Sequence, residues 1–428
     1  MRKGYKVALA SLLLSAGVVA GCGSAGSSST SNSSGSGSST GSGGASSNSI
    51  NIAVAAPFSG TEAFIGPDTL NGVKVAVQEI NANGGVLGKK LNIVTADTVG
   101  DPVDAVPAIQ QVLSTAHPVA MIGPSSLTIT SVIKMLNQDK MVDMAIGGTT
   151  QLDNMQYKYI YRVTPSDSQM GVAMAYYGTK VKGYTKAAIV LGSNSSAQTL
   201  NGPIQSTLQK HGVNVVLDQQ IVPDQSSYRS EVEKLIAAKP QVIYTQLDPQ
   251  TASTFYSELQ QLGGGNIPLI GDDVTASTQF AQAIGLSYAQ KELTSVQGAS
   301  NTGPASTLYN QYYAKVWQGT QPVILSNNGY DAMNIIALAM IEAKSTNPSV
   351  YVNYIKKVAN GPGTQVYDFK SAVAAIKAGK QINYQGASGP EDFNQYHNVT
   401  GSFEADGFDA KGNLVKVTDI SATSLFGY

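Results

Sequence analysis

Two turns rich in glycine and hydroxyl side chains follow neighbouring apolar runs of this sequence. Ser125 and Ser126 lie in the first turn, and Gly148 and Thr149 lie in the second. We predict a helix over 126–139, and the unpaired N–H groups of a helix start attract anions. Glycine also lets the backbone approach a ligand closely. Two such turns side by side favour a carboxylate-binding site, although Ser126 alone would serve equally as a helix cap.

Aspartates at two other predicted strand ends could bind a cationic group of a ligand. Asp273 follows the predicted strand Leu269–Gly271, and Asp248 follows the predicted strand Val242–Gln246. A carboxylate at the carboxyl end of a strand can pair with the ammonium group of a ligand. Either aspartate would also serve as a helix cap, and for Asp248 the two interpretations are about equally favoured.

Patterns typical of catalysis or metal binding are sparse. The three histidines, His117, His211 and His397, are far apart in sequence, and there is one cysteine. The stretch 84–90 is similar to a phosphate-binding loop, but its glycine spacing is one residue short and Lys90 stands where Ser or Thr is required. We therefore expect a protein that is not an enzyme and that holds no cofactor and no metal.

The composition limits the partners. The formal net charge is −1, whereas nucleic-acid-binding domains are usually strongly basic. Charged residues make up 13% of the chain, against roughly 25% in an average protein. Such a surface changes little when carboxylates become protonated, which favours a body that works in an acidic exterior.

The start of the chain predicts export and lipidation. Residues 1–21 combine basic side chains with an apolar run too short to cross a bilayer, which is typical of a signal peptide. Cys22 follows Val-Ala-Gly, which resembles the bacterial lipobox, so we expect Cys22 to carry a lipid. The alternative is an ordinary signal peptide with an incidental cysteine. Residues 22–49 are nearly all small and polar, which predicts a disordered tether.

From Ile50 onward, short apolar runs alternate with helical patterns, and this alternation starts again after residue 164. Val- and Ile-rich runs separated by helices indicate parallel βαβ units. The fold class predicted here is α/β with two doubly wound parallel sheets. Ligands bind such folds outside the carboxyl ends of the strands.

Several motifs, taken together, resemble the branched-chain amino-acid-binding family of ABC-transporter solute receptors, which have the type I periplasmic-binding fold. The motifs are Pro57-Phe58-Ser59-Gly60, Asn71-Gly72, Glu79-Ile80-Asn81, Gly84-Gly85-Val86-Leu87-Gly88, Asp101-Pro102, Ile122-Gly123-Pro124-Ser125-Ser126, Arg162 and Tyr330-Asp331-Ala332. The resemblance implies two lobes joined by a three-segment hinge. The expected divisions are 50–165 and 299–385 for lobe 1, 166–298 for lobe 2, and 386–428 for a crossover and a C-terminal segment on lobe 2.

The resemblance also implies a set of ligand-binding residues. A ligand carboxylate would meet Ser125 or Ser126 and Thr149, with backbone help from Gly148, and Asp273 would bind the ammonium. The other implied positions are Phe64, which would pack on the ligand, Ser196, which stands where the family often has an aromatic residue, and Asp248. The missing aromatic residues and the second carboxylate favour a ligand with extra donors, such as an amide or a basic amino acid.

The function that the resemblance implies is capture of a small amino-acid-like solute and delivery to an ABC permease. We expect a monomer outside the cytoplasm, attached to the cell membrane only through its lipid. The alternatives are a ligand-sensing receptor subunit, or a receptor for an amide, a urea-type compound or a small carboxylate. An extracellular hydrolase has almost no support in the sequence.

Overall fold

Two β-sheets organise the part of the chain that the computed structural model describes. That part comprises residues 49–60, 62–299, 303–320, 322–323, 325–425 and 428. The predicted signal peptide, Cys22 and the predicted tether lie outside the described residues. None of the helices described in these ranges is both long enough and apolar enough to cross a membrane.

The first sheet has five parallel strands in the order β2-β1-β3-β4-β5. The strands are β1 (Ser49–Ala56), β2 (Lys90–Asp97), β3 (Ala120–Ile122), β4 (Val142–Ala145) and β5 (Ile160–Arg162). The helices between them are α1 (Ile65–Ala82), α2 (Pro102–Ala116) and α3 (Ile129–Gln138). Along β1, Ile52 and Val54 face one apolar cluster while Ala53 and Ala55 face another, so both faces of this sheet are covered.

The second sheet begins with five strands that are parallel to one another, in the order β10-β9-β8-β6-β7. They are β6 (Lys186–Gly192), β7 (Asn214–Ile221), β8 (Val242–Gln246), β9 (Leu269–Gly271) and β10 (Leu293–Gly298). The helices of this part are α4 (Asp167–Tyr176), α5 (Ser195–Lys210), α6 (Arg229–Ala238), α7 (Pro249–Gln261), α8 (Thr278–Ile284) and α9 (Leu286–Glu292).

The rest of the chain returns first to the five-stranded sheet and then to the second sheet. The elements that pack with the first sheet are α10 (Pro304–Val316), α11 (Ser326–Ala343), α12 (Pro348–Tyr351), α13 (Ile355–Ala359), β11 (Thr364–Val366), α14 (Phe369–Lys377) and β12 (Ile382–Tyr384). The elements that return to the second sheet are β13 (Phe403–Phe408), β14 (Leu414–Ile420) and α15 (Ala422–Leu425). We call the first group, with residues 49–162, the five-stranded half, and the second group, with residues 167–298, the seven-stranded half.

Two further strands extend the second sheet beyond its predicted parallel part. The strands β13 and β14 extend that sheet beyond β10, and both pairings, β10 with β13 and β13 with β14, are antiparallel. The sheet is therefore mixed, since a short turn joins β13 to β14 and leaves no room for a crossover helix. The lobe boundaries predicted from the sequence stay a prediction.

The chain crosses between the two halves three times, as the resemblance implies. The crossings follow β5, β10 and β12, and they are hydrogen-bonded to one another. The backbone N–H of Arg162 donates to the carbonyl of His397 at 2.9 Å, and the N–H of Ala299 donates to the carbonyl of Ser402 at 2.8 Å. The three segments therefore form one connected strap beside the carboxyl ends of both sheets.

The helices α1 and α11 pack backbone against backbone in the five-stranded half. A Cβ atom added to Gly72 would lie 1.7 Å from the carbonyl oxygen of Ser326, and one added to Gly329 would lie 2.5 Å from that of Thr69. Only glycine allows this approach, because the contacting atoms belong to a helix backbone that cannot rotate away.

The substitution Gly72→Ala is therefore expected to lower the free energy of unfolding by about 1–3 kcal/mol, as overpacking does. The matched control is Gly202→Ala on α5, where no atom lies within 4 Å of the added Cβ. This control should be neutral or stabilise by about 0.5–1 kcal/mol, since alanine favours a helix. Urea unfolding measures both, and equal stability of Gly72→Ala and the unsubstituted protein would contradict the packing described.

Candidate functional site

A cavity of about 340 Å³ lies between the two halves, at the carboxyl ends of both sheets. The five-stranded half contributes Glu62, Ser125, Ser126 and Gly148, and the seven-stranded half contributes Asp167, Ser196, Gln246, Asp272 and Asp273. Pro165, Gly298 and Gly401, from the three crossings, line the same cavity. The cleft therefore has the volume of a small-molecule site, and both halves and all three crossings contribute to its lining.

The turn that contains Ser125 and Ser126 lines the cleft, but it does not lie at a helix start. The helix α3 begins at Ile129, three residues later than predicted, and the carbonyl of Ser125 accepts from the N–H groups of Thr128 and Ile129. The helix predicted over 126–139 therefore starts later than expected, and the anion site predicted at this turn stays a prediction. What remains is a loop in which the buried Ser125 hydroxyl has no partner among the described residues.

The buried side chain of Arg162 holds the turn that contains Gly148 and Thr149. Arg162 donates from Nη1 to the carbonyls of Gly148 at 3.1 Å and Thr149 at 3.2 Å, and from Nη2 to Asp153 at 2.9 Å. The Thr149 N–H donates to the Ser126 hydroxyl at 3.1 Å. This bond, which the sequence did not predict, joins the turn of Ser125 and Ser126 to the turn of Gly148 and Thr149. Gly148 lines the cleft, whereas Thr149 is buried and is not among the described lining residues.

Asp167, at the start of α4, places a carboxylate against this glycine turn. A Cβ atom on Gly148 would lie 1.9 Å from the Asp167 carboxylate, and the Thr199 hydroxyl donates to the same side chain. The pKa of Asp167 is raised to about 7, mainly by burial; the Thr199 hydrogen bond opposes this rise, and the charge of Asp273 adds to it. The turn expected to attract an anion is thus flanked by a protein carboxyl group.

Asp272 and Asp273 form an acidic pair at the end of β9. Asp273 is partly exposed in the cleft, as its predicted position required, and Asp272 is buried. Burial raises the pKa of both carboxyl groups, and the neighbouring charge of Asp273 raises that of Asp272 further. The Asp272 Oδ1 atom has no hydrogen-bond partner among the described residues. That Asp273 binds an ammonium group stays a prediction.

Glu62 brings a further carboxyl group from the five-stranded half. It lies in the loop between β1 and α1 and is only 4% exposed. Burial raises its pKa to about 7, and the charges of Asp248 and Asp273 add to that rise. The Asn194 amide, from the seven-stranded half, donates to the Glu62 carboxylate at 3.4 Å. Glu62 therefore lies at the boundary between the halves.

Of the three remaining predicted site residues, Ser196, Asp248 and Phe64, only Ser196 is among the described residues that line the cleft. Ser196 lines the cleft, at the start of α5. Asp248 is the N-cap of α7, where its Oδ1 accepts from the Thr251 N–H at 2.9 Å, so it takes the cap role that the sequence left open. Phe64 directly precedes α1 and is not among the described residues that line the cleft.

Sequence reasoning did not assign Glu62, Asp167, Asp272 or Gln246 to the ligand site. Glu62 lies in an irregular polar loop without periodicity, and Asp167 has the pattern of an ordinary acid in the first turn of a helix. Gln246 ends a predicted strand, which was the one available signal. All four became visible only through the approach of the two sheets.

The ionisable side chains in the described lining of the cleft are all acidic. The described lining contains four carboxyl groups and no Lys, Arg or His. Among the described residues there is also no group of three or more His, Cys, Asp or Glu side chains arranged to hold a metal ion. The site therefore offers many hydrogen-bond acceptors, and it has no cation to hold an anionic ligand.

Two α/β halves with three hydrogen-bonded crossings and a polar cleft between them define a two-lobed solute-binding protein. Residues 49–402 match the family model described as a periplasmic binding protein. This match covers most of the chain, and the chain belongs to that family. The membership confirms the prediction of a binding protein rather than an enzyme.

The relatives agree with this assignment. An amino acid binding protein of Pseudomonas aeruginosa is 27% identical over 196 residues, which is 45% of this chain and 52% of that protein. The matched region thus spans about half the length of that relative.

Solved structures confirm the fold. The leucine binding protein LivK from Thermotoga maritima superimposes with a TM-score of 0.74 at 17% identity, over 87% of this chain and 99% of that one. A solute-binding protein of an ABC transporter from R. palustris, in complex with benzoate, gives a TM-score of 0.72 at 17% identity, over 87% and 96%.

The raised pKa values predict how stability depends on pH. A carboxyl group whose pKa is higher in the folded than in the unfolded protein stabilises the fold while protonated, and this contribution is lost as the pH rises through the folded pKa. For Glu62, that loss lies between its ordinary pKa of 4.5 and about 7. The ligand-free protein should therefore be more stable to urea at pH 5 than at pH 8.

The variant Glu62→Gln tests this assignment, because glutamine has a similar shape and cannot ionise. We expect a smaller difference in unfolding free energy between pH 5 and pH 8 than in the unsubstituted protein. The exposed Asp218, changed to Asn on β7, is the control and should leave the difference unchanged. A larger pH dependence in Glu62→Gln would contradict the burial of this carboxyl group.

Proposed function

We propose that this protein is an extracytoplasmic receptor that captures a small amino-acid-like solute and delivers it to an ABC importer. The observation that carries the proposal is the cleft, to which both halves and all three crossings contribute lining residues. Membership in a family of binding proteins and the similarity to an amino acid binding protein support it.

Contacts across the cleft support a mechanism in which the two halves close over the solute. The Ser195 hydroxyl donates to the carbonyl of Leu127 at 3.3 Å, and Asn194 reaches Glu62 at 3.4 Å. These bonds join the start of α5 to the loops of the five-stranded half, so the halves lie in a closed arrangement. A solute that touches both halves stabilises this arrangement, and the loaded receptor then differs in shape from the open one.

The cleft chemistry favours a solute with an amine over a simple carboxylate. No cationic side chain lies among the described lining residues, whereas Asp273 and Glu62 stand on opposite sides of the cavity. A carboxylate without an ammonium would be buried beside acidic groups with no cationic side chain in the described lining to compensate its charge, and its desolvation would oppose binding. The hydroxyl groups of Ser125 and Ser126 remain the proposed contacts for the carboxylate of an amino acid, with Gly148 beside them.

Ligand binding is tested by thermal and urea unfolding of the full chain with each of the common amino acids, their amides and small carboxylates. At a hundredfold excess over Kd, a true ligand should raise the apparent stability by about 2.7 kcal/mol. The variant Asp273→Asn should lose most of this gain, and Asp218→Asn should keep it. The proposal fails if no amine-bearing solute stabilises the protein, or if Asp273→Asn responds as the unsubstituted chain does.

We also propose that Cys22 carries the lipid that keeps the receptor at the outer face of the cell membrane. The Val-Ala-Gly-Cys pattern after an apolar run supports this, and stable anchoring takes more than one acyl chain. Cys22→Ser should move the protein from the membrane fraction to the soluble fraction, while the control Ser24→Ala should leave it in the membrane fraction. Retention of Cys22→Ser in the membrane fraction would show that another feature anchors the chain.

A further inference from the structure

We infer that the cleft takes a solute with two separated cationic nitrogens, of the diamine or basic amino-acid type. This inference rests on the proposed function and names its substrate class. It is carried by the acidic lining, by buried acceptors without partners, and by the apolar part of the lining.

The unpartnered atoms point to a ligand rich in donors. Gln246 is 4% exposed and Asp272 is 2% exposed, and the Gln246 Oε1 and Asp272 Oδ1 atoms have no hydrogen-bond partner among the described residues. Both side chains line the cleft. An amide oxygen and an unprotonated carboxyl oxygen accept hydrogen bonds, and a buried acceptor without a partner costs free energy, so N–H groups of a ligand would offset this cost here.

The carboxyl groups come from both sides of the cleft. The five-stranded half contributes Glu62, and the seven-stranded half contributes Asp167, Asp272 and Asp273. A solute held between the halves can therefore meet a carboxyl group on each side, which matches two positive charges on separate nitrogens better than it matches one.

Apolar side chains line the cleft together with the acidic groups. Met170, Leu200 and Val274 belong to this lining. A chain of methylene groups between two nitrogens would cover apolar surface of this kind, and burying each methylene is favourable. The cleft thus combines carboxyl groups on both sides with an apolar lining.

Three probes that differ by one group each test the inference in equilibrium titrations with the full chain. L-Lysine carries two cationic nitrogens and a carboxylate, L-norleucine has the same main chain without the second nitrogen, and 1,5-diaminopentane is lysine without the carboxylate. Lysine or the diamine should bind at least ~10-fold tighter than norleucine, since one charge-assisted hydrogen bond is worth about a factor of ten or more.

Side-chain variants locate the second nitrogen. Glu62→Gln and Asp272→Asn should each weaken dication binding by at least ~10-fold while changing norleucine binding much less. Asp218→Asn, the same chemical change at an exposed position, should change neither. The unfolding temperature of each ligand-free variant shows that the fold is kept, which we expect because glutamine and asparagine resemble the protonated acids.

The outcomes separate this inference from the proposed function. Norleucine binding as tightly as lysine and the diamine overturns the inference and leaves amino-acid capture standing. Binding of the diamine without lysine supports the inference and overturns the amino-acid part of the proposed function. Absence of binding by all three probes, or full dication affinity in Glu62→Gln and Asp272→Asn, overturns the inference.

Discussion

The buried side chain of Arg162 connects the parts on which this structure depends. Its guanidinium is bonded to the carbonyls of Gly148 and Thr149 and to Asp153, so it fixes the turn that borders the cleft. Its backbone, at the end of β5, pairs with the third crossing at His397 and Val399. A single residue therefore couples the first sheet, the edge of the cleft and the strap between the halves. A buried arginine is tolerated there because Nη1 and Nη2 meet carbonyl groups and an ion-pair partner, although Nε has no partner among the described residues.

Much of the fold was predictable because its elements obey local rules. The strands β1, β6 and β8 are mostly buried and rich in Val, Ile and Ala, and parallel strands covered on both faces favour this pattern. The antiparallel pair β13 and β14 was not predictable in the same way. β14 is largely exposed, and the pairing of β13 with β10 depends on where the third crossing returns the chain.

The cleft was predictable only at the positions where one strand end determines the place of a side chain. Ser125, Gly148 and Asp273 follow strands of their own sheets, and each lies on the cleft. Glu62 and Asp167 reach the cavity through a loop and a helix start, so their positions depend on how the halves meet. Hydroxyl and glycine turns suggested an anion site, and only the assembled cleft reveals that carboxyl groups surround it.

Two acids of the cleft have a pKa near 7, so the cleft is able to exchange protons for a bound cation. With no ligand bound, Glu62 and Asp167 hold protons at mildly acidic pH, because burial disfavours their charge. A cation that binds beside them lowers their pKa and displaces these protons into the solvent. For a dication that displaces two protons, the empty and the loaded protein then carry the same net charge. Under the proposed function, a permease that distinguishes the two would recognise the closed shape of the protein, and the external proton concentration would compete directly with the solute.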